Sequence, residues 1–366
     1  MKRRTLLLAG GGLLAAGAAG TALSLRGMGS TQDYAAGAAR LREALTAQPG
    51  MVDLVRFATL AANSHNTQPW RFRLAPGRMA LLPDFARRTP AVDPDDHHMF
   101  VSLGCAAANL ALAAQARGLT GELRFASGSP DHLVFEHGVG PATASPLFEA
   151  IVQRQSTRGE YDGRTASSAD LDQLMQAART PGVELALVTD TAARERIGEL
   201  VLAGNSAQMA DPAFVSELRQ WLRFNPREAL SSGDGLYAAC SGNPIGPSWL
   251  APTLFKLFFK EKTENDKYAR QLRSAAGLAV FSADKDDPEH WLRVGQACQR
   301  FALQATALGM KHAFLNQPAE VPSLRAELAA LAGFPGRRPN LLMRFGYGPG
   351  LPYSLRRSAA SVIEPA

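Results

Sequence analysis

Leu60-Ala61-Ala62-Asn63-Ser64-His65-Asn66-Thr67-Gln68-Pro69-Trp70-Arg71-Phe72 lies between a predicted helix and a predicted hairpin, and its amides cluster in one short loop. A helix that simply ends in a turn needs none of His-Asn-Thr-Gln-Pro-Trp in that order. A loop braced by two rigid elements can instead offer backbone N–H groups and the Ser64 and Asn66 side chains to the edge of a planar heteroaromatic.

Upstream, Tyr34 to Thr46 and Val52 to Leu60 read as helices separated by Pro49-Gly50, with Arg40, Glu43 and Arg56 on their solvent faces. Downstream, Trp70 to Leu74 and Met79 to Leu82 read as a hairpin turning at Pro76-Gly77. Asp93-Pro94 opens a long helix to Arg117, stopped by Gly118. Strands follow at Glu122 to Phe125 and Leu133 to Glu136, and a helix starts near Pro146. Farther on, Val183 to Val188, Gly277 to Phe281 and Leu341 to Phe345 read as strands. Ala192 to Met209, Pro288 to Leu308 and Ser323 to Leu331 read as helices. The stretch from Pro226 to Asn265, with four prolines and weak periodicity, has the character of a lid.

Gly104 to Gly118 laid over Gly295 to Gly309 matches at seven of fifteen positions, Gly104/Gly295 and Gly118/Gly309 among them. Such small residues suit a pair of helices that approach closely. The repeat predicts an α+β protein of two related halves, 31–145 and 146–366, with a lid at about 226–265 in the second and a signal with linker over 1–30.

The loop from Ala62 to Trp70 resembles the small-Ser-x-x-Asn-x-Gln-Pro-Trp motif of FMN-dependent nitroreductases. Asp93 to Leu110 is similar to that family's central helix, and Arg154-Gln155-Ser156-Thr157-Arg158 resembles its Arg-x-Ser-x-Arg signature. Leu315 to Val321 resembles the loop that sets a backbone N–H against flavin N5, and Gly346 to Arg357 resembles the closing strand with its last basic residues. The order of loop and Arg-x-Ser-x-Arg is reversed relative to ordinary members, which implies two fused half-folds, as in the Acg-like branch. Ala62-Asn63 also departs from the Pro-Ser of many relatives.

The resemblance implies FMN as cofactor, held by Asn63, Ser64, His65, Asn66, Gln68, Arg154, Ser156, Arg158, Gln317, Glu320, Val321, Arg356 and Arg357. Glu320 and Val321 are the candidates beside N5, and no protein acid or base is assigned to catalysis. It implies an oxidoreductase passing electrons from NAD(P)H or another donor to a nitroaromatic, quinone or similar acceptor, the chain acting as a monomeric pseudo-dimer. The rival expectation is a flavin-sequestering protein, with Trp249, Leu250 and Phe255 as a closed wall.

The front end, Lys2-Arg3-Arg4-Thr5-Leu6-Leu7-Leu8 and an apolar run through Leu25, resembles a twin-arginine export signal, and a Sec signal or uncleaved membrane tether also fits it. A folded, cofactor-loaded protein exported to the periplasm follows as an expectation. Lys2, Arg3, Arg4 and Arg26 account for much of the +6 charge, leaving 35 basic against 33 acidic residues behind them. That near-neutral body argues against nucleic-acid binding. Cys105, Cys240 and Cys298 lack metal or disulfide spacing and read as small packed hydrophobes. His97 and His98 should diverge by about 100° on a helix, so they do not suggest a metal site beside Asp93, Asp95 and Asp96. His65 is expected to orient its loop by hydrogen bonding.

Overall fold

The computed structural model describes residues 27–128 and 130–365. The basic and apolar run through Leu25 lies outside the described residues.

The first half runs α1 (Thr31–Leu41), α2 (Met51–Thr59), β1 (Trp70–Ala75), β2 (Arg78–Pro83), α3 (His97–Gln115), β3 (Leu119–Ala126) and β4 (His132–Val139). Its strands form an antiparallel sheet in the order β1-β2-β4-β3, with Trp70 opposite Pro83 and Leu123 opposite Phe135. Gly77 takes a φ of 68°, the left-handed conformation that the tight turn requires.

The second half runs α4 (Pro146–Ala150), α5 (Ser168–Ala178), β5 (Val183–Val188), α6 (Thr191–Ala210), α7 (Pro212–Trp221), β6 (Leu222–Arg223), α8 (Pro226–Ser232), β7 (Leu236–Tyr237), α9 (Ala251–Phe258) and α10 (Glu261–Arg273). It continues with β8 (Gly277–Ala283), α11 (Pro288–Ala307), β9 (Lys311–Phe314), α12 (Gln317–Glu320), α13 (Arg325–Leu331), β10 (Pro339–Gly346) and α14 (Ala359–Val362). Its main sheet is also antiparallel, ordered β5-β8-β10-β9.

The two sheets therefore share one topology: first strand, second, fourth, third. In each half the long helix sits between the second and third strands, α3 in one and α11 in the other. The halves differ in what joins the first two strands. Pro76-Gly77 does so in the first half, whereas α6 to α10 occupy that place in the second.

The paired helices cross at the glycines of the internal repeat. A Cβ on Gly104 would lie 1.9 Å from the Leu292 carbonyl oxygen, and one on Gly295 would lie 2.0 Å from that of Val101. Only hydrogen fits there. Helix α3 is long and apolar enough to cross a membrane, but it is buried at the centre of the molecule. One continuous core joins α3, α11 and the inner faces of both sheets, with Trp70, Leu103, Phe281, Phe301 and Phe345 fully buried. Cys105, Cys240 and Cys298 are free and buried.

The structure differs from the sequence reading in several places, and the first helix, read as Tyr34 to Thr46, spans Thr31–Leu41. Helix α3 starts at His97, because Asp96 adopts a left-handed φ of 60° and Asp93 caps the helix from outside. The Asp93 carboxylate accepts from the N–H groups of His98 (2.9 Å) and Met99 (3.0 Å). Arg56 is not a solvent-facing charge, since its guanidinium donates to the carbonyls of Leu41 and Glu43 at 3.0 and 2.8 Å. The C-terminal tail returns to the first half, where Glu364 N–H donates to the Phe72 carbonyl at 2.8 Å and Ile363 bridges the edge of β1.

Candidate active site

Helix α2 ends by releasing the carbonyls of its last turn, and two arginines from distant segments collect them. Arg356 donates to Thr59 (2.6 Å) and Ala61 (3.0 Å), and Arg154 donates to Leu60 (2.8 Å). The chain then turns sharply, with His65, Asn66 and Gln68 at φ of 46°, 54° and 53°. Left-handed non-glycine residues so close together store strain that surrounding contacts must offset. Asn63 Oδ1 accepts from Gln68 N–H (2.9 Å), and Ala62 N–H donates to Gln299 Oε1 (3.1 Å) on α11. Gln299 Nε2 in turn donates to Asn109 Oδ1 on α3 (2.8 Å). The central helix pair thus fixes the entrance of the loop.

Beside this loop lies a cleft. Asn63, Ser64, His65, Ser102, Cys105 and Arg158 form one side, and Phe314, Asn316, Gln317 and Glu320 form the other. A second hollow shares Ala62, Asn63, Arg158 and Leu236 with it and adds Arg42, Asn66, Arg154, Ser156, Ser354 and Arg356. The Arg154 to Arg158 segment is anchored on the second half, where Thr157 N–H donates to the His312 carbonyl at 2.8 Å. Loop and arginine segment therefore meet from opposite lobes of one chain.

The second hollow is an anion cradle. Four guanidinium groups line it and no carboxylate does. Nε and Nη1 of both Arg42 and Arg154 are buried without a hydrogen-bond partner among the described residues. Burial and then the charge of Arg154 push Arg42 down to about 10, and burial likewise lowers Arg154 and Arg158. Unpaired buried donors under mutual repulsion are costly, and a multiply charged anion relieves both costs.

Not every anticipated residue points into these hollows. Asn66 lines the cradle, yet its amide is already spent: Nδ2 donates to Gly235 (2.9 Å) and Leu355 (3.2 Å), and Oδ1 accepts from Arg356 (2.9 Å). Arg356 uses its nitrogens on carbonyls and Asn66, so it braces the loop rather than reaching outward. Gln68 is fully buried and lines neither hollow; its Nε2 donates to Gly233 (2.9 Å) and its Oε1 accepts from Arg357 N–H (2.8 Å). Arg357 also lines neither hollow and turns toward Asp84 and Ser361.

The N–H groups of Glu320 and Val321 are not free to meet a ring nitrogen. The turn of α12 consumes them, through bonds to the carbonyls of Asn316 (2.8 Å) and Gln317 (2.9 Å). Val321 does not line the cleft, whereas the Gln317 and Glu320 side chains do. Gln317 opens the turn, so its N–H precedes any intrahelical acceptor.

Sequence reading missed Arg42, Ser102, Gln208, Tyr268 and Asn316, which complete the two hollows. It also missed a polar chain across the cleft: His98 Nε2 lies 3.4 Å from Glu320 Oε1, and Gln208 Nε2 donates to Glu320 Oε2. Burial raises Glu320 and lowers His98, so the pair tends toward its neutral forms. Burial, then Arg158, brings His65 down to about 4, and it stands neutral with Nδ1 at 3.4 Å from Ser64 Oγ.

Asp93, His97 and His98 come closer than helical divergence suggests, with potential ligand atoms within 4.8 Å of one another. Several of these atoms already have partners, since the Asp93 oxygens accept from the His98 and Met99 N–H groups and His98 Nε2 faces Glu320. Asn340 Oδ1 accepts from Ala283 N–H (2.7 Å), which turns its Nδ2 toward His97 Nε2 (2.9 Å) and leaves the imidazole proton on Nδ1.

The roof comes from the insertion between β5 and β8. It begins earlier than Pro226, because Asn205, Gln208, Phe214 and Leu218 contribute along with Leu236, Phe259 and Tyr268. The wall expected from Trp249, Leu250 and Phe255 is not built over this cleft. Trp249 is 70% exposed, and Phe255 faces an adjoining channel.

A two-lobed α+β body, a strained amide loop and an arginine cradle at the lobe junction define a class of ligand-binding fold. Residues 151–347, more than half of the chain, match the Nitroreductase family, and the chain belongs to it. The "Putative NAD(P)H nitroreductase Rv3131" of Mycobacterium tuberculosis is 26% identical over 328 residues, covering 85% of this chain and 90% of the relative. The "Putative NAD(P)H nitroreductase acg" of the same organism is 25% identical over 308 residues, covering 81% and 88%. The FMN-dependent nitroreductase NfnB of Mycobacterium smegmatis, solved with NADPH, is 14% identical; the match covers 56% of this chain and 87% of that one, with a TM-score of 0.38.

Proposed function

We propose that this chain is an FMN-dependent oxidoreductase holding one flavin between its two halves. The observation that carries this reading is the cradle: four guanidiniums, no carboxylate, and buried unpaired donors on Arg42 and Arg154. A flavin mononucleotide phosphate is a dianion that fits such donors, and the adjoining cleft offers a polar loop on one side and the Asn316-Gln317 turn on the other.

Arg42, Arg154, Arg158, Ser156 and Ser354 would hold the phosphate, and Asn63, Ser64, Asn316 and Gln317 the ring edge. Bound FMN would supply the two-electron chemistry. Arg356, Asn66 and Gln68 orient the loop. The apolar roof of Phe214, Leu218 and Phe259 excludes water. Burial shifts the Glu320 carboxyl upward, and it lies at the cleft opposite His98 Nε2.

Nitroaromatics or quinones are the acceptors this reading favours, with NAD(P)H or another small reductant as donor; the names of the mycobacterial relatives support the former donor. The shared sheet topology supports an internal duplication and a monomer with one complete site. The front end supports twin-arginine export to the periplasm, either free or tethered. The roof supports a second reading, a flavin store that turns over nothing.

Anaerobic mixing with NADPH, followed near 450 nm, separates the two. Bleaching of the bound flavin and its recovery on adding a nitroaromatic or quinone support the oxidoreductase. Flavin that resists NADPH and yields to dithionite supports storage or another donor, and protein that never holds FMN overturns both readings.

A further inference from the structure

The cleft does not end at its roof. Arg158, Leu218, Leu236, Phe259 and Tyr268 also wall a second channel, which runs on between the β6–β7 ribbon and helices α9 and α10. Its remaining lining joins apolar Leu222, Phe224, Ala238, Pro244 and Phe255 to polar Arg223, Ser241, Asn243, Glu264 and Lys267. Phe255 and Phe259 stack with ring centroids 4.6 Å apart. Lys267 stands at the edge, 3.1 Å from Asn243 Oδ1 and 3.9 Å from Glu264.

The segment that helps to wall this channel also carries exposed apolar side chains. Among the described residues eight large hydrophobic side chains are exposed, and three of them, Ile245, Trp249 and Leu257, fall within residues 245–257. Phe255 and Leu257 sit about 200° apart around α9. One therefore faces the channel while the other, 56% exposed, faces away. A helix apolar on both sides has an unexplained face. Exposed Lys260, Glu261 and Lys262 follow directly, with Lys262 paired to Asp266 at 3.6 Å.

We propose that the acceptor is a quinone bearing a long alkyl or isoprenoid chain, its planar head in the cleft and its chain in the channel lined by Leu218, Phe224, Leu236, Phe255 and Phe259. The proposal rests on the oxidoreductase reading for the identity of the head. The chain-binding channel stands on geometry alone. Each buried methylene is worth roughly fourfold in affinity, so a chain only partly buried still dominates binding over the head.

The test is equilibrium binding by calorimetry of the full chain, with and without FMN, to a dimethoxy-methyl-benzoquinone and to the same head carrying a decyl chain. The decyl compound is expected to bind at least about tenfold more tightly. That advantage should vanish in Phe255→Ser and in Ala238→Trp, which fills the channel, while affinity for the bare head is unchanged in Phe255→Ser. Melting curves establish that each variant is folded, and two variants guard against one that is not. Equal affinity of the two compounds for the unaltered protein overturns the proposal. So does a chain advantage that survives in both folded variants. Failure of the flavin reading registers separately, as lack of FMN binding, because the chain preference is read without the cofactor.

Discussion

At the scale of single residues, the cradle sets binding against stability. Arg42 is repelled by Arg154 and keeps two buried donors unpaired among the described residues, so its charge costs the unliganded protein something. Arg42→Gln should raise the melting temperature of the flavin-free protein slightly while weakening FMN by roughly 10- to 100-fold, the range of one charge-assisted hydrogen bond. Fluorescence titration and a melting curve measure the two effects. Arg356→Ala should do the reverse in kind, lowering the melting temperature markedly, because the carbonyls of Thr59 and Ala61 and the Asn66 amide lose their donor. His65 carries a pH signature. Its folded value of about 4 lies below the ordinary 6.5, so the unfolded chain binds the proton first. Its contribution is complete above about pH 6.5 and is lost as pH falls toward 4. His65→Gln should narrow the drop in melting temperature between pH 7 and pH 5; an unchanged drop would contradict burial of a neutral imidazole.

At the scale of elements, the crossing of α3 and α11 is the tightest constraint in the fold. Gly104→Ala would press a methyl against the Leu292 carbonyl at 1.9 Å, and backbone cannot swing aside as a side-chain tip can. A loss of about 1–3 kcal/mol or more is expected, read from denaturant unfolding. This crossing was legible in the sequence because the glycine spacing repeats, and the hairpin was legible because Pro-Gly punctuates two short strand-like runs. The roof was not. Gln208, Phe214 and Tyr268 come together only after α6, α7 and α10 fold over the cleft, and no local pattern marks them. Gly204 shows how closely that layer sits: a Cβ there would lie 2.8 Å from Cβ of Gln317. Gly204→Ala should therefore push the 316–320 turn outward, weakening flavin binding and lowering the melting temperature.

At the scale of the whole molecule, the chain builds within itself a site that needs two lobes. The Asn63-Ser64 loop comes from one half and the Arg154 to Arg158 segment from the start of the other, while the tail bearing Arg356 returns to lock the loop. Ser64 and Asn66, which the motifs single out in the loop, fall beside the two hollows in the fold with Arg154, Ser156 and Arg158. Asn66 and Arg356 line the cradle with their polar atoms already paired, Gln68 and Arg357 line neither hollow, and Arg42, an unremarkable charge at the end of α1, carries no motif. Which arginines face outward is decided by which carbonyls lie nearby, and that is a tertiary fact.

The most direct test of the account is the flavin content of the purified full-length chain, reconstituted with FMN and measured by absorbance after denaturation, alongside its mass in solution by light scattering. One FMN per monomer, reduced in the Arg42→Gln, Arg154→Ala double variant, is the predicted result. No flavin, or one flavin shared between two chains, would contradict a complete site built from the two halves of one chain.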